Sequence, residues 1–235
     1  MAIPANLTFY DSLLRFRLFQ GLSRMELMQL AGNTKFGFHK EPEGRVVAAE
    51  DKPCQQLLLL TAGSLSATRR SDDGGYSVSE TVMPPWAVQP EALFGAQPRY
   101  TATWCTEQEC SFITLQKDEV LRLLDDFLII RLNLLNLLST MAQRTQQRNW
   151  RREPQSLRQR FVRFVMDHVL YPAGPKEFHI LMKRLAAELG DSRLDTSRML
   201  NKLQDDGMVK LFRGRIIIPS LEILVNSLEW REEIV

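Results

Sequence analysis

Residues 182–219 read MKRLAAELGDSRLDTSRMLNKLQDDGMVKLFRGRIIIP. Leu185, Ala186 and Leu189 share one face of a helix, and Gly190 lets the chain reverse after it. Asp191 or Ser192 caps a second helix that runs to about Asp205, with Met199, Leu200 and Leu203 as its buried face. Gly207 supplies a left-handed stop, and Met208–Phe212 and Arg215–Pro219 read as two strands joined across Arg213–Gly214. Two helices crossing through a short glycine turn, followed by a hairpin, make a winged helix-turn-helix. Ser192 opens the second helix (about 191–205), whose outward side then holds Arg193, Leu194, Thr196, Ser197, Asn201 and Lys202, with Arg198 at the flank. That mixture suits a DNA major groove, because Arg bonds guanine bidentately while hydroxyls and Lys reach phosphates. Arg213 and Arg215 at the hairpin tip are placed to press on the phosphate backbone. A helical hairpin that merely packs is the plainer alternative, but it leaves the coincidence of helix-turn-helix, basic wing and basic surroundings unexplained.

The charge distribution agrees. Residues 1–140 carry 13 Lys and Arg against 16 Asp and Glu, a net −3. Residues 141–215 carry 16 against 8, a net +8, and the last twenty residues are net −3. A basic block confined to one part of the chain points to a polyanionic partner for that part only.

Upstream of the motif, Ser156 caps a helix through about Leu170, Tyr171–Pro175 is a loop and Glu177–Ile180 is a short extended run. Between Thr34 and Leu115 the texture is different. The runs Arg45–Ala49, Gln56–Leu60, Leu65–Arg69, Tyr76–Val82, Tyr100–Trp104 and Ser111–Leu115 recur between turn residues such as Ala62–Gly63 and Asp72–Gly75. Regular short runs of this kind predict an antiparallel barrel or sandwich. Helical segments precede it over Phe9–Gly32, where Ser23 and Glu26 have capping-box spacing.

After Lys117–Leu124, a longer helix is expected from about Asp126 to Trp150. Phe127, Leu134 and Met141 fall seven apart along it, Ile130 and Leu137 follow three after the first two, and Leu128, Leu135 and Ala142 form a second row. This apolar stripe is wider than one neighbour needs, so Phe127, Ile130, Leu134, Leu137 and Met141 are taken as the dimer-facing set, against the alternative of a monomer's core helix. Arg151–Pro154 breaks the helix and forms a short hinge.

Other classes fit poorly. With 44% hydrophobic and 25% charged residues, 12 Gly and 11 Pro, the composition is that of a globular protein, neither disordered nor collagenous. The apolar run Leu132–Ala142 is too short to span a bilayer, so no membrane partner is expected. MAIPANLTFYDSLL lacks a basic segment followed by an apolar core, so a secretory leader is not expected. Three scattered cysteines, Cys54, Cys105 and Cys110, fit a reducing cytoplasm. No nucleophile elbow, Walker loop or dinucleotide fingerprint occurs, and only His39 lies in the barrel region, so no catalytic or metal-ligating set is assigned and the chain reads as a non-enzyme.

The sequence resembles the cyclic-AMP receptor protein/FNR (CRP/FNR) family of transcription regulators over nearly the whole chain. LFQGLSRMELMQLA resembles the family's N-terminal helix, while Glu43–Val47 and LLLLTAGSL resemble its β-roll. GDSRLDTSRMLNKLQDDGMV resembles its recognition helix. The resemblance implies an α+β chain in three parts. These are an antiparallel, jelly-roll-like β-roll of the cyclic-nucleotide-binding type with N-terminal helices (1–117), a short helix plus long dimerisation helix and hinge (118–152), and a winged helix-turn-helix (153–235). It implies a homodimer on a double-stranded DNA operator, and RNA polymerase as a further partner. Ser192 matches a phosphate-contacting position, and Arg193 and Arg198 match the two base-reading arginines. Leu194 departs from the family's glutamate, and leucine cannot accept a bond from cytosine N4.

The cyclic-AMP-binding members carry a Gly-Glu-Leu run followed by Arg and Ser/Thr. Here the stretch is WAVQPEALFGAQPRYTATW: Pro90 precedes Glu91, and Tyr100 separates Arg99 from Thr101. Glu91, Arg99 and Thr101 are therefore a candidate effector pocket for which cyclic AMP is disfavoured and another small molecule, or none, is expected. Three cysteines cannot hold an iron–sulfur cluster through four ligands of one chain. His39 and His168 leave a lone haem ligand open. The competing reading is a small-molecule-binding β-barrel protein whose C-terminal domain contacts another protein.

Overall fold

In the computed structural model, which describes residues 5–148, 150 and 153–228, helix α1 (Ala5–Leu14) leads through a 3-10 turn (Arg17–Phe19) to α2 (Arg24–Asn33). The expected capping box is formed. The Glu26 amide donates to Ser23 Oγ at 3.3 Å and the Ser23 amide donates to Glu26 Oε2 at 2.7 Å, which satisfies two orphan donors of α2. Strands β1 (Gly37–Glu41), β2 (Val46–Ala48), β3 (Gln56–Ala62), β4 (Leu65–Arg70), β5 (Tyr76–Val82), β6 (Trp86–Val88), β7 (Thr103–Thr106) and β8 (Cys110–Gln116) follow. Then come α3 (Lys117–Asp126), α4 (Leu128–Arg148), α5 (Leu157–His168), β9 (Lys176–Ile180), α6 (Met182–Leu189), α7 (Arg193–Asp205), β10 (Lys210–Phe212), β11 (Arg215–Ile218) and α8 (Leu221–Asn226).

These elements form two units. One takes the described residues up to Leu65 together with Val82–Trp150, and the other takes Ser66–Thr81 together with the described residues from Glu153 on. In the first unit, an antiparallel sheet runs in the order β1-β8-β3-β6, with Leu57 opposite Leu115, Leu59 opposite Ile113 and Leu60 opposite Phe112. Leu57–Leu60 are all buried, which explains a continuous apolar run where a half-exposed strand would alternate. β2 pairs with β7, whose Trp104 is among the largest fully buried side chains. β1 and β6 were not anticipated. GFHKE shows no alternation, and β6 is three residues long behind two prolines, so neither has a legible period.

Helix α4 corrects the dimer-facing assignment. Phe127, Ile130 and Leu134 are buried within their own chain, and Leu137 is half-buried; of the expected set only Met141 is exposed. Asn133 Nδ2 donates to the carbonyls of Leu18 (3.1 Å) and Gln20 (2.8 Å), and this fixes the helix's rotation. The second row faces out instead, with Leu128 63% and Leu135 53% exposed and Leu132 beside them. A seven-residue period produces both rows equally, and only packing decides between them. The expected hinge falls partly on Arg151 and Arg152, which lie outside the described residues.

In the second unit the sheet order is β10-β11-β9-β5-β4. The sequence places Leu65–Arg69 and Tyr76–Val82 in the sensor barrel, yet here the hairpin of residues 66–81 extends the wing sheet. β5 pairs antiparallel with β9, with Tyr76 opposite Ile180, Val78 opposite Phe178 and Glu80 opposite Lys176. Val78 thereby joins the core of Phe161, Val165, Phe178, Leu185, Leu200, Leu203 and Ile218. The pairing covers an edge of β9 that would otherwise be open.

An ion pair sits inside this junction. Lys176 Nζ lies 2.9 Å from Glu80 Oε2, with both side chains 1% exposed. Lys176 also donates to the Ala173 carbonyl at 2.8 Å. Glu80 accepts from the amides of Leu170 (2.6 Å) and Tyr171 (3.2 Å), and Arg69 approaches at 3.7 Å. Two charges removed from water are tolerated only when their remaining donors and acceptors are satisfied, and here they are. Beside it, His168 Nδ1 donates to the Phe164 carbonyl at 2.7 Å, and Nε2 lies 2.8 Å from the Tyr76 hydroxyl. Both ring nitrogens of His168 are thus engaged within the chain.

Lys176→Met leaves buried Glu80 with only the more distant Arg69 as a charged partner and should lower the unfolding free energy in urea by up to about 3–5 kcal/mol. The double variant Lys176→Met/Glu80→Gln should recover part of that loss, and identical midpoints for the single and double variants would contradict the pairing.

Candidate nucleic-acid interface

Helix α6 ends at Gly190, whose φ of +61° is left-handed. The Asp191 amide donates to the Ala186 carbonyl (3.0 Å) and the Gly190 amide to that of Ala187 (3.2 Å), which together form a Schellman stop. Ser192 then caps α7, accepting from the Asp195 amide at 3.0 Å. The same pattern closes α7: Gly207 has φ +72°, Met208 donates to Leu203 (2.8 Å) and Gly207 to Gln204 (2.9 Å). Glycine is required at both stops, because a side chain at this φ is strained.

Between these stops α7 has two opposed stripes. Thr196, Leu200 and Leu203 are buried, at spacings i, i+4 and i+7. Leu194, Arg198 and Asn201 have the same spacing two residues earlier in phase, about 200° round the helix, and all three are exposed. Arg193 and Lys202 are exposed beside this stripe and Ser197 is half-buried. Thr196 is the correction. At 0% exposure it faces the core and cannot reach a groove. Its small polar side chain had suggested an outward position, but its phase on the helix is that of Leu200 and Leu203.

Ser192 has a second task. Its hydroxyl donates to Asp195 Oδ2 at 2.6 Å, so its proton is committed within the free chain. Asp195 Oδ1 lies 3.5 Å from Arg198 Nη1, an exposed pair that holds the guanidinium near the outward stripe. At the wing, β10 and β11 pair with Phe212 opposite Arg215, and Arg213 is exposed on the turn between them. Arg215 lies over the Phe212 ring at 4.6 Å and 3.4 Å from Glu177 Oε1, so the tip's most outward charge is that of Arg213.

Several other basic residues are engaged internally. Arg158 donates to Ser227 Oγ at 2.8 Å, Arg160 bonds Asp191, Lys176 is buried on Glu80, and Arg184 bridges Asp73 and Glu188 at 2.7 Å each. A count of charges therefore overstates the basic surface open to a polyanion.

Two families match the chain. The cyclic nucleotide-binding domain family matches residues 39–127, and the Crp-like helix-turn-helix domain family matches residues 159–226. The chain belongs to the CRP/FNR family of transcription regulators. Solved structures share this family's fold at low identity. The catabolite activator protein of Thermus thermophilus is 20% identical, with a TM-score of 0.50 over 90% of this chain and 97% of that one. A CRP/FNR family regulator from Eubacterium rectale gives the same values. The sensor domain of the regulator DNR from Pseudomonas aeruginosa is 21% identical, with a TM-score of 0.52 over 66% of this chain and 99% of that one. No curated protein matches the sequence. As a CRP/FNR member the chain is a DNA-binding transcription regulator with a cyclic-nucleotide-binding-like domain. Among the described residues, no helix is long and apolar enough to cross a membrane.

In this CRP/FNR regulator the candidate effector residues are tied to the chain itself. Arg99 Nη1 donates to the Asp51 carbonyl at 2.5 Å, and its side chain is exposed. Thr101 is held by Gln89, whose Nε2 donates to Thr101 Oγ1 at 2.6 Å and whose Oε1 accepts from the Thr101 amide at 3.1 Å and from Trp104 Nε1 at 3.2 Å. Glu91 is half-buried on the 3-10 turn Pro90–Leu93. The only cation of the expected phosphate cradle thus points at a backbone carbonyl, a poor fit for a cyclic phosphate. Gln89 was missed by the sequence reading, and it is the residue that organises the segment. It is buried with a left-handed φ of +40°, and nothing in a lone glutamine before a proline signals that.

His39 stacks on Phe112 at 5.4 Å. Burial pushes the thiols of Cys54 and Cys110 up, which suits small hydrophobes better than redox sensors.

The Thr196 hydroxyl has no hydrogen-bond partner among the described residues. Thr196→Val should therefore leave DNA affinity unchanged and raise the unfolding free energy by about 1 kcal/mol, as relief of a buried unpaired hydroxyl. A tenfold loss of affinity in a mobility shift would restore Thr196 to the interface.

Proposed function

We propose that the chain acts as a cytoplasmic homodimer that reads a roughly palindromic DNA operator, with one α7 in each of two successive major grooves about 34 Å apart. The observation that carries this reading is the pair of opposed stripes on α7. Its apolar side is spent on the core, and Leu194, Arg198 and Asn201 are left outward. Arg193 and Arg198 read base edges, while Asn201, Lys202, Ser197 and the exposed wing residue Arg213 contact phosphates or sugars, with Arg215 and Ser192 assisting once their own partners are exchanged. The exposed row Leu128, Leu132 and Leu135 on α4 supports a second copy as the dimer partner, because a row of leucines in water is otherwise unfavourable. The β-roll responds to a signal other than cyclic AMP, a reading supported by the turned-away Arg99 and the self-satisfied Thr101.

Selection of binding sites from a randomised duplex, followed by a salt-titrated mobility shift, tests this reading against that of a C-terminal domain that contacts a protein. Affinity should fall as a power of salt concentration. Arg193→Ala or Arg198→Ala should each cost about 1–3 kcal/mol and relax preference at one base position. Light scattering on Leu132→Glu/Leu135→Glu should show a monomer, and a persisting dimer mass would reject the α4 interface.

A further inference from the structure

The outward stripe of α7 contains one side chain with no hydrogen-bonding capacity. Leu194 lies in the first turn and is 59% exposed. It is in line with Arg198 and Asn201 and nearly opposite the buried stripe, so it occupies the part of the helix that enters a groove deepest. Its neighbours Arg193, Asp195 and Arg198 are all polar and exposed.

The edges of base pairs in the major groove offer hydrogen-bond donors, acceptors and a single apolar group, the C5-methyl of thymine. A leucine pushed against guanine, adenine or cytosine strips water from a polar edge and returns no bond. Against thymine it buries apolar surface on both sides. Resting on the DNA-reading role of α7 argued above, we infer that Leu194 is a specificity residue that selects thymine through its methyl group, at a position next to the bases read by Arg198 and Arg193. Asp195 does not compete for this contact, because its carboxylate is committed to Ser192 and Arg198.

The contact is tested by removing only the methyl. The full-length protein is first used to select sites from a randomised duplex. Each selected thymine is then replaced in turn by deoxyuridine, which keeps the Watson–Crick pairing and both polar edge groups. At one thymine per half-site the wild type should bind the uracil duplex about fourfold more weakly per half-site, the factor expected from one lost methyl contact. Leu194→Ala should bind both duplexes with a ratio near one. Leu194→Glu should move the preference at that position from thymine to cytosine, whose N4 amine it accepts from. If the wild type discriminates at no selected thymine, or Leu194→Ala keeps the full discrimination, the inference fails while DNA reading by α7 stands. If selection returns no preferred sequence at all, the reading beneath it fails instead. Because Leu194 is exposed, folding of its variants, checked by circular dichroism, is not expected to cloud the result.

Discussion

The rotation of α7 about its own axis is the constraint from which the proposed DNA-facing surface follows. Thr196, Leu200 and Leu203 seat the helix in a core shared with α5, α6 and the wing sheet. With that stripe fixed inward, Leu194, Arg198 and Asn201 have nowhere to point but out. A rotation by one residue, about 100°, would bury Arg193 or Ser197 and expose Leu200, at a cost of roughly 1.5–3 kcal/mol for the leucine alone. The two Schellman stops reinforce the same phase. They fix where α6 ends and where the wing strand begins, so the helix has no freedom to slip along its axis either.

The wing that completes this surface depends on a strand from far upstream. β9 is flanked by β11 on one side and by β5 on the other, and the β5 pairing is pinned by the buried Lys176–Glu80 pair. Such a pair adds little stability over an apolar substitute but penalises any register in which the partners do not meet. Sliding β5 by one residue would put Thr81 or Ser79 opposite Lys176 and part it from Glu80. Register here is set by electrostatics as much as by the alternation of Tyr76, Val78 and Glu80 toward one face.

Much of this was legible in the sequence, and the failures have identifiable causes. The helix-turn-helix was readable because its signals are local: Gly190, Ser192 and Gly207 punctuate it, and a 3.6-residue period runs between them. Strands β2, β3, β7 and β8 of the first unit were readable from turn spacing. What could not be read were choices made by distant partners. Whether Ile130 or Leu132 faced the chain's own interior depended on Asn133 finding the carbonyls of Leu18 and Gln20. The hairpin of residues 66–81 shows ordinary strand alternation, and nothing in it says that its partner is a strand near residue 178. Thr196 was misread because polarity was weighed above phase. A threonine is small enough to be buried at a cost of one unpaired hydroxyl, so its character is a weaker guide than its position four residues before Leu200.

The exposed pair between Asp195 and Arg198 raises the question of which partner wins when DNA is present. An ion pair in open solvent contributes about 0.2–1 kcal/mol and weakens with salt. A bidentate bond from arginine to guanine discriminates by about 1–3 kcal/mol in a groove from which water has been displaced. On the proposed reading, guanine would outcompete Asp195 at its cognate position, whereas a wrong base would not repay the exchange. On that reading Asp195 would sharpen the choice made by Arg198. It would give the guanidinium a resting partner strong enough to limit loose contacts and too weak to hold it from the correct base, because the pair is exposed and 3.5 Å apart.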